Sequence, residues 1–521
     1  MQTKQFLTIL AVALGLGLTL ALLAGLQTAQ AAPATPDRFV TPTGGGDCSQ
    51  ASPCALQTAL GLAVNGDTIY VAGGVYTGTG SEVIAVTQSI TLAGGWDGAT
   101  GGRVVRDPAA YPTTLDGEWA RRVVYISGNI TPTLDGFIVT RGNATGLLTG
   151  CPGNPDGCGG GVFVISAHPL IVNNTITNNV AAITTTGNPT VAIGFGGGLY
   201  LNDATRAVIS GNLIISNVAS LASRGYGGGI HLEGILFGAQ VQFNQVLSNA
   251  ATTKNAVGYG GGISGGPGGV VIRGNSVIGN RANGYGGGEG AGLYQWFGSA
   301  TYLNNLVTGN LGSAGSQAVY LGYSASHFES NRVVDNATSQ GIKFQGVFWG
   351  SSGPTLVNNI VARSGDRTLS LHGGMGWPLT TTLLHNTLVG SGSGTGVYVA
   401  TGYIALFLTN TIVVDHTWGI TNTFPASSTV LADHTLFWAN THDGIRGANP
   451  VDGTPTFATD GYHIGSGCSA AIDAGVSAGV TTDIDGEARP YGPGYDIGAD
   501  ELSTGLACWR VYLPLASRNY P

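Results

Sequence analysis

Asp203, Glu233 and His231 are the residues of this chain whose types and spacing best fit bond-breaking chemistry. Cleaving a glycosidic bond takes two carboxyl groups about 5 to 9 Å apart, one to protonate the leaving oxygen and one to activate water or attack the sugar. The two acids stand one sequence repeat apart, and His231 lies beside Glu233. A His–Glu pair is also ordinary surface decoration, so these three are candidates only. A second set suits binding. Tyr200, Tyr294, Trp296 and Tyr320 offer rings, and Gln345 and His372 offer hydrogen-bonding groups, at matching places in successive repeats. Rings stack on sugars and polar neighbours read hydroxyls, although strand propensity alone also favours Tyr and Trp at exposed strand positions. A third set, Asp483, Asp485 and Glu487, alternates along a short loop and gives candidate ligands for calcium, which takes six to eight oxygens. Its spacing is not that of an EF-hand, and Asp-Gly is an ordinary turn. No other cofactor is expected. A nucleophile elbow is absent, and the Gly triplets lack the following Lys-Ser or Lys-Thr of a phosphate loop.

These residues must be held by elements that the composition narrows sharply. Of 521 residues 88 are Gly, 43% are hydrophobic and only 9% are charged, which excludes disorder. Glycines without a three-residue period exclude collagen, and so many of them exclude a helical bundle. The net charge of −8 and the lack of a basic stripe exclude a nucleic-acid partner. What remains is β-rich and repetitive. A Gly triplet leads an alternating strand at Gly159-Gly160-Gly161, Gly196-Gly197-Gly198, Gly227-Gly228-Gly229 and Gly260-Gly261-Gly262, with a stretched copy from Gly286 to Tyr294. Between these strands an Asn precedes β-branched or Leu residues: Asn174, Asn212, Asn244, Asn275, Asn305, Asn331, Asn359, Asn386 and Asn410, at intervals of 24 to 38 residues. Units that short bury their apolar side only on a neighbour. Asn tolerates a bend and can bond its counterparts in the coils above and below, so the nine are expected to form an inward ladder.

This pattern resembles the right-handed parallel β-helix of the pectate-lyase-like superfamily over residues 60 to 450. The likeness begins at Gly66-Asp67-Thr68-Ile69-Tyr70-Val71, includes Leu134-Asp135-Gly136-Phe137-Ile138-Val139 and runs to His434-Thr435-Leu436-Phe437. It implies an all-β solenoid of about 11 to 13 coils with terminal caps. Stacking in register would line up Tyr200, His231, Ser264, Tyr294, Tyr320, Lys343, Ser370 and Tyr398 on a flat, solvent-facing wall. Lyases of this fold combine calcium-binding acids with an Arg or Lys base. That pattern is missing, since the repeat strands lack clustered Asp and Lys343 stands apart from any such cluster.

The expected organisation is a signal peptide at 1–31, an N-terminal cap at 32–66, the β-helix at 67–450, an acidic closing segment at 451–501 and a tail at 502–521. An uncleaved membrane anchor is the competing reading of the first segment. The closing segment, with Asp483-Ile484-Asp485-Gly486 and Asp496-Ile497-Gly498-Ala499-Asp500-Glu501, resembles the last coil of secreted bacterial β-helix proteins, sometimes called a choice-of-anchor domain. Cys48 with Cys54, Cys151 with Cys158 and Cys468 with Cys508 are expected as disulfides of an oxidising compartment. Zinc competes weakly, because no His lies at finger spacing. The functional expectation is a secreted or surface-attached protein that binds extracellular polysaccharide without catalysis, with no membrane span after signal cleavage. The alternatives are a polysaccharide-cleaving hydrolase or lyase on the same face, and a purely structural envelope protein.

Overall fold

The computed structural model describes residues 37–503, apart from 152–155, 184–192, 222, 255, 266–267, 283–287, 347–351, 375–378 and 466–467. The signal segment, residues 504–521 of the tail and with them Cys508 lie outside the described residues. Three long sheets of 14, 13 and 14 strands run through the rest, and their strands pair in parallel. Each turn of the chain visits them in order. In one coil Leu199–Asn202 lies on the first face, Val208–Ser210 on the second and Leu213–Ile215 on the third. Two short sheets, of four and three strands, fill the corner between the third face and the next first face. The architecture is a parallel β-solenoid. Its strand count per face reaches one beyond the expected coil number, because the early coils lack the Gly triplet that marks the later ones.

Alternation makes this core. On the third face Ile176, Ile214, Val246, Val277, Val307, Val333 and Val361 are register partners in succession, all fully buried. Each such side chain contributes about 1.5–3 kcal/mol of burial. The asparagines fix the corner before this face. Asn212 Oδ1 accepts from both the backbone N–H and the side-chain amide of Asn174, each at 3.0 Å. The same pair of bonds links Asn244, Asn275, Asn305, Asn331, Asn359 and Asn386 in turn. Asn410 departs from the expectation. The register partner of Asn386 is Thr411, and Asn410 takes the left-handed turn position (φ +53°) that Asn173, Asn304 and Asn358 fill in earlier coils. A second ladder five residues on was not expected: Asn179, Asn217, Asn249, Asn280, Asn310 and Asn336, ending on Ser364.

At the N-terminal end the strand Arg38–Val40 already pairs with Thr68–Ala72, so the first coil begins inside the segment assigned to a cap. The cap itself is the helix Leu56–Leu62, which turns Leu56 and Ala59 into the core. Cys48–Cys54 and Cys151–Cys158 are disulfides. Among the described residues no helix is long and apolar enough to cross a membrane.

The acidic closing segment begins as a strand, Val451–Asp452, paired with Leu436–Trp438. It folds back along the outer side of the third face, where Ile464, Ala471, Ile484, Ile497 and Ala499 pack with Ile360, Ala362, Val389, Ile412 and Val414. The reason lies in those strands. Ile360-Val361-Ala362 and Ile412-Val413-Val414 are apolar on both sides, unlike Thr175-Ile176-Thr177, and strands with two apolar faces need cover on both.

Candidate functional site

The column of the first face stacks in the expected register. Direct pairing links Phe163, Tyr200, His231, Ser264, Tyr294, Tyr320, Lys343, Ser370 and Tyr398. These side chains alternate with core residues such as Leu199 and Leu201 and so point away from the core. They do not form a flat exposed wall. Tyr200 is 0% exposed, His231 4%, Tyr294 6% and Tyr320 2%. The cause is the four-stranded corner sheet, which lays a second row of rings over the first. Phe195, Tyr226 and Tyr259 are register partners there, and the isolated bridge that follows pairs Tyr259 with Glu289. Tyr226 and Tyr259 stack at 4.6 Å, Phe195 lies 4.9 Å from His231, and Tyr259 lies 5.0 Å from Tyr294. The Gly triplets make the corner passable. A Cβ on Gly228 would stand 2.4 Å from the Ala250 carbonyl, and Gly227 has φ +64°.

Residues of both rows line a cleft of about 830 Å³. Tyr226, Tyr259, Tyr294, Trp296 and Tyr320 give it ring surfaces, and Glu233, Glu289, Lys343 and Gln345 give it polar groups. Tyr294 and Tyr320 are stacked at 5.2 Å, with Trp296 parallel to both. Of the residues expected to meet a glycan, Tyr294, Trp296, Tyr320 and Gln345 line this cleft. Tyr200 does not: it is covered within the ring stack, and its buried hydroxyl has no partner among the described residues. His372 also lies outside the lining, with Nε2 3.0 Å from Ser370 Oγ.

The candidates Asp203 and Glu233 stand on adjacent coils, with the Asp203 N–H donating to the Glu233 carbonyl, but only Glu233 lines the cleft. The register partner of Glu233 is Asn202, so Asp203 falls one residue later, in a left-handed turn (φ +50°), where its carboxylate accepts the Ile235 N–H at 2.8 Å. A one-residue offset in a strand reverses the side. The acid that shares the cleft with Glu233 is Glu289, which sequence reasoning missed. Its signal was present. Gly194-Phe195-Gly196, Gly225-Tyr226-Gly227 and Gly258-Tyr259-Gly260 are followed by Gly288-Glu289-Gly290, a carboxylate in the slot that carries a ring in the three preceding coils. Lys343, which in the sequence stood apart from any acid, belongs to the same cleft and has its Nζ 5.3 Å from the Tyr320 ring centre.

The two cleft carboxylates are driven in opposite directions. Burial raises the Glu289 carboxyl, and the charge of Lys343 offsets part of that rise. Burial acts against ionisation of Glu233 as well, but the hydrogen bond and charge of His231 outweigh it and hold the carboxyl below its usual value. His231 Nε2 lies 2.9 Å from Glu233 Oε2, and Nδ1 lies 2.5 Å from Ser264 Oγ. An imidazole protonated on Nε2 donates to Glu233 and accepts from the Ser264 hydroxyl. The chain Ser264–His231–Glu233 looks like a nucleophile relay, but Ser264 is fully buried and does not line the cleft, so it serves to orient His231. Burial also pushes Tyr226 up to about 12, so its phenol stays neutral.

The candidate calcium triple is also rearranged. Asp483, Glu487 and Asp500 converge, with one oxygen from each within 4.8 Å of the others, while Asp485 turns to Arg332 and His463. Asp483 Oδ1 already accepts the N–H groups of Asp485 and Glu487, its Oδ2 accepts that of Glu501, and Asp500 accepts that of Ile464. These backbone bonds make the cluster a clasp that ties the loop together.

No protein-family model matches this chain, and no curated protein matches it by sequence. Among solved structures it is similar to the pectate lyase Pel9A, at 12% identity and a TM-score of 0.35 over 90% of this chain and 97% of that one. It is similar to the PL6 family alginate lyase AlyGC at 12% identity and a TM-score of 0.46, over 82% of this chain and 54% of that one. It is also similar to XylC in its complex with xylose, at 12% identity and a TM-score of 0.33, over 80% of this chain and 84% of that one. The architecture described above stands on this chain's own strand register.

Proposed function

We propose that the protein is exported and binds a polysaccharide along the cleft of its first face. The observation that carries this reading is the two-row ring stack, open between Tyr259, Tyr294 and Trp296 and edged by Glu233, Glu289, Lys343 and Gln345. Ring faces a few ångströms apart suit pyranose faces, and charged or amide groups at the edge suit hydroxyls. A cleft that crosses several coils suits a chain better than a single sugar. The disulfides Cys48–Cys54 and Cys151–Cys158 support an oxidising destination.

The test is an array of labelled glucan, xylan, mannan, galactan and uronate-containing oligosaccharides, followed by titration of any hit. Trp296→Ala should weaken binding about tenfold or more, as ring anchors do at binding hot spots. Its melting transition should barely move, because the indole is only partly buried and lies outside the core. A protein that captures nothing on the array, or a Trp296→Ala variant that binds as wild type, would sink the reading and leave a structural envelope protein.

A further inference from the structure

Resting on that reading, we propose that the cleft also cuts what it binds, with Glu289 as the proton donor and Glu233 as the base of a single-displacement glycoside hydrolysis. Three observations converge. Glu289 follows Phe195, Tyr226 and Tyr259 in a row that lines the cleft, so the repeat carries a carboxyl group there in place of a ring. Among the described residues its carboxylate makes no hydrogen bond, which leaves it available to a ligand. Glu233, in the same cleft, is held by a buried relay from His231 and Ser264 that nothing in the packing of the core requires.

The register decides between the two geometries of glycoside cleavage. Glu289 precedes the strand Leu293–Trp296 and stands in the corner row, bridged to Tyr259, which pairs with Tyr226 in the coil of Glu233, so the two acids lie two coils apart. Two sheet spacings separate their backbones by about 10 Å. A separation of that order leaves room for a water between the two acids, as an inverting enzyme needs, and exceeds the roughly 5–5.5 Å of a covalent intermediate. In the step itself, a water placed by Glu233 attacks the anomeric carbon and gives its proton to that carboxylate. The bond from the anomeric carbon to the bridging oxygen breaks, and Glu289 gives its proton to that oxygen. Water and one glycoside become two sugars, and the protons return to their starting sites through solvent.

The groups facing Glu289 are Lys343, Tyr226, Tyr259, Tyr294, Tyr320 and Tyr323. Lys343 is the only cation among them, and it favours the ionised form of Glu289. Removing that charge should therefore keep Glu289 protonated to higher pH.

The experiment uses the whole protein and the oligosaccharide that binds best on the array, with product followed by reducing-end assay and proton NMR. Wild type should release product with inverted anomeric configuration. Glu289→Gln and Glu233→Gln should each lose about a hundredfold or more in kcat while keeping affinity within a few fold. Glu289→Tyr restores the ring of the repeat, so it should fold and bind yet not cleave. Lys343→Met should move the alkaline limb of the rate profile upward. Binding without cleavage by wild type overturns this inference and leaves the binding reading standing. Absence of binding removes both. Cleavage that survives in Glu289→Gln and Glu289→Tyr, or product with retained configuration, overturns the assigned roles.

Discussion

Carboxylates withdrawn from solvent in the aromatic cleft and in the segment folded over the third face are treated in opposite ways. In the folded-back segment Glu501 and Arg489 are both fully buried, 2.7 Å apart, and Glu501 also accepts the N–H groups of Tyr491 and Asp496. Arg489 also donates from its terminal nitrogens to the carbonyls of Asp496 and Gly498. In the cleft Glu289 is half-buried beside five tyrosines and has no such partner among the described residues. Charge that is buried and paired serves to fix a loop, whereas charge that is buried and left open is costly to keep, and a ligand is the simplest reason to keep it. The acid-rich look of the C-terminal sequence drew attention to the first kind, and a single Glu among glycines concealed the second.

Breaking the bonded region should have the largest effect. Arg489→Ala strands Glu501 in the interior and should cost about 3–5 kcal/mol, as removal of one partner of a buried pair does. Urea unfolding should then show an early transition for the folded-back segment, while glycan affinity at the first face is unchanged. Loss of cleft binding in that variant would mean the two regions are coupled and the contrast is false.

A smaller effect separates the regions by pH. Burial raises the Asp500 carboxyl to about 7, so the folded chain holds a proton that the unfolded chain releases near its ordinary value of 3.8. The raised value means that this group's contribution is present at low pH and is lost as pH rises toward 7. Asp500→Asn removes the titration while keeping an oxygen for the Ile464 N–H, so its stability relative to wild type should increase over that window, read from melting curves at pH 4 to 8. A relative stability that is flat, or that falls with pH, would refute the assignment.

The smallest effect is expected at Glu289 itself. Because its carboxyl is raised by burial, ionisation works against the folded state. Glu289→Gln should leave the melting temperature unchanged in acid and raise it slightly near neutral pH. A marked drop would show that the carboxylate makes a structural bond and is not held for a ligand.

The solenoid was legible because it rests on local regularities: strand alternation, Gly triplets and Asn at recurring intervals each report a single coil, and stacking follows. The disulfides at Cys48–Cys54 and Cys151–Cys158 were legible for the same reason, being close in sequence. Asn410 misled because its neighbours Thr411 and Ile412 repeat the motif one place out of step, and only the pairing of Thr387 with Ile412 reveals the slip. The second ladder was visible as Asn-x-x-x-x-Asn, from Asn174 and Asn179 through Asn331 and Asn336, once the first had been found. The cleft was not legible from the column alone. Its second wall comes from the corner strands Ile193–Phe195, Arg224–Tyr226 and Gly258–Tyr259, whose side of the sheet no alternation within three residues can fix. The turn over the third face was likewise hidden, because it brings together residues more than a hundred positions apart, as in the 2.9 Å bond from Ala499 N–H to Thr387 Oγ1.

The central claim is that the open carboxylate and the rings around it are there for a sugar chain. A crystal structure of the Glu289→Gln variant grown with the best array oligosaccharide tests it most directly. The account predicts a pyranose ring stacked between Tyr259 and Trp296, with its glycosidic oxygen within hydrogen-bond distance of residue 289 and a water held by Glu233 on the opposite side of the bond. A sugar bound on another face, or lodged in the cleft with residue 289 touching only protein, would contradict it.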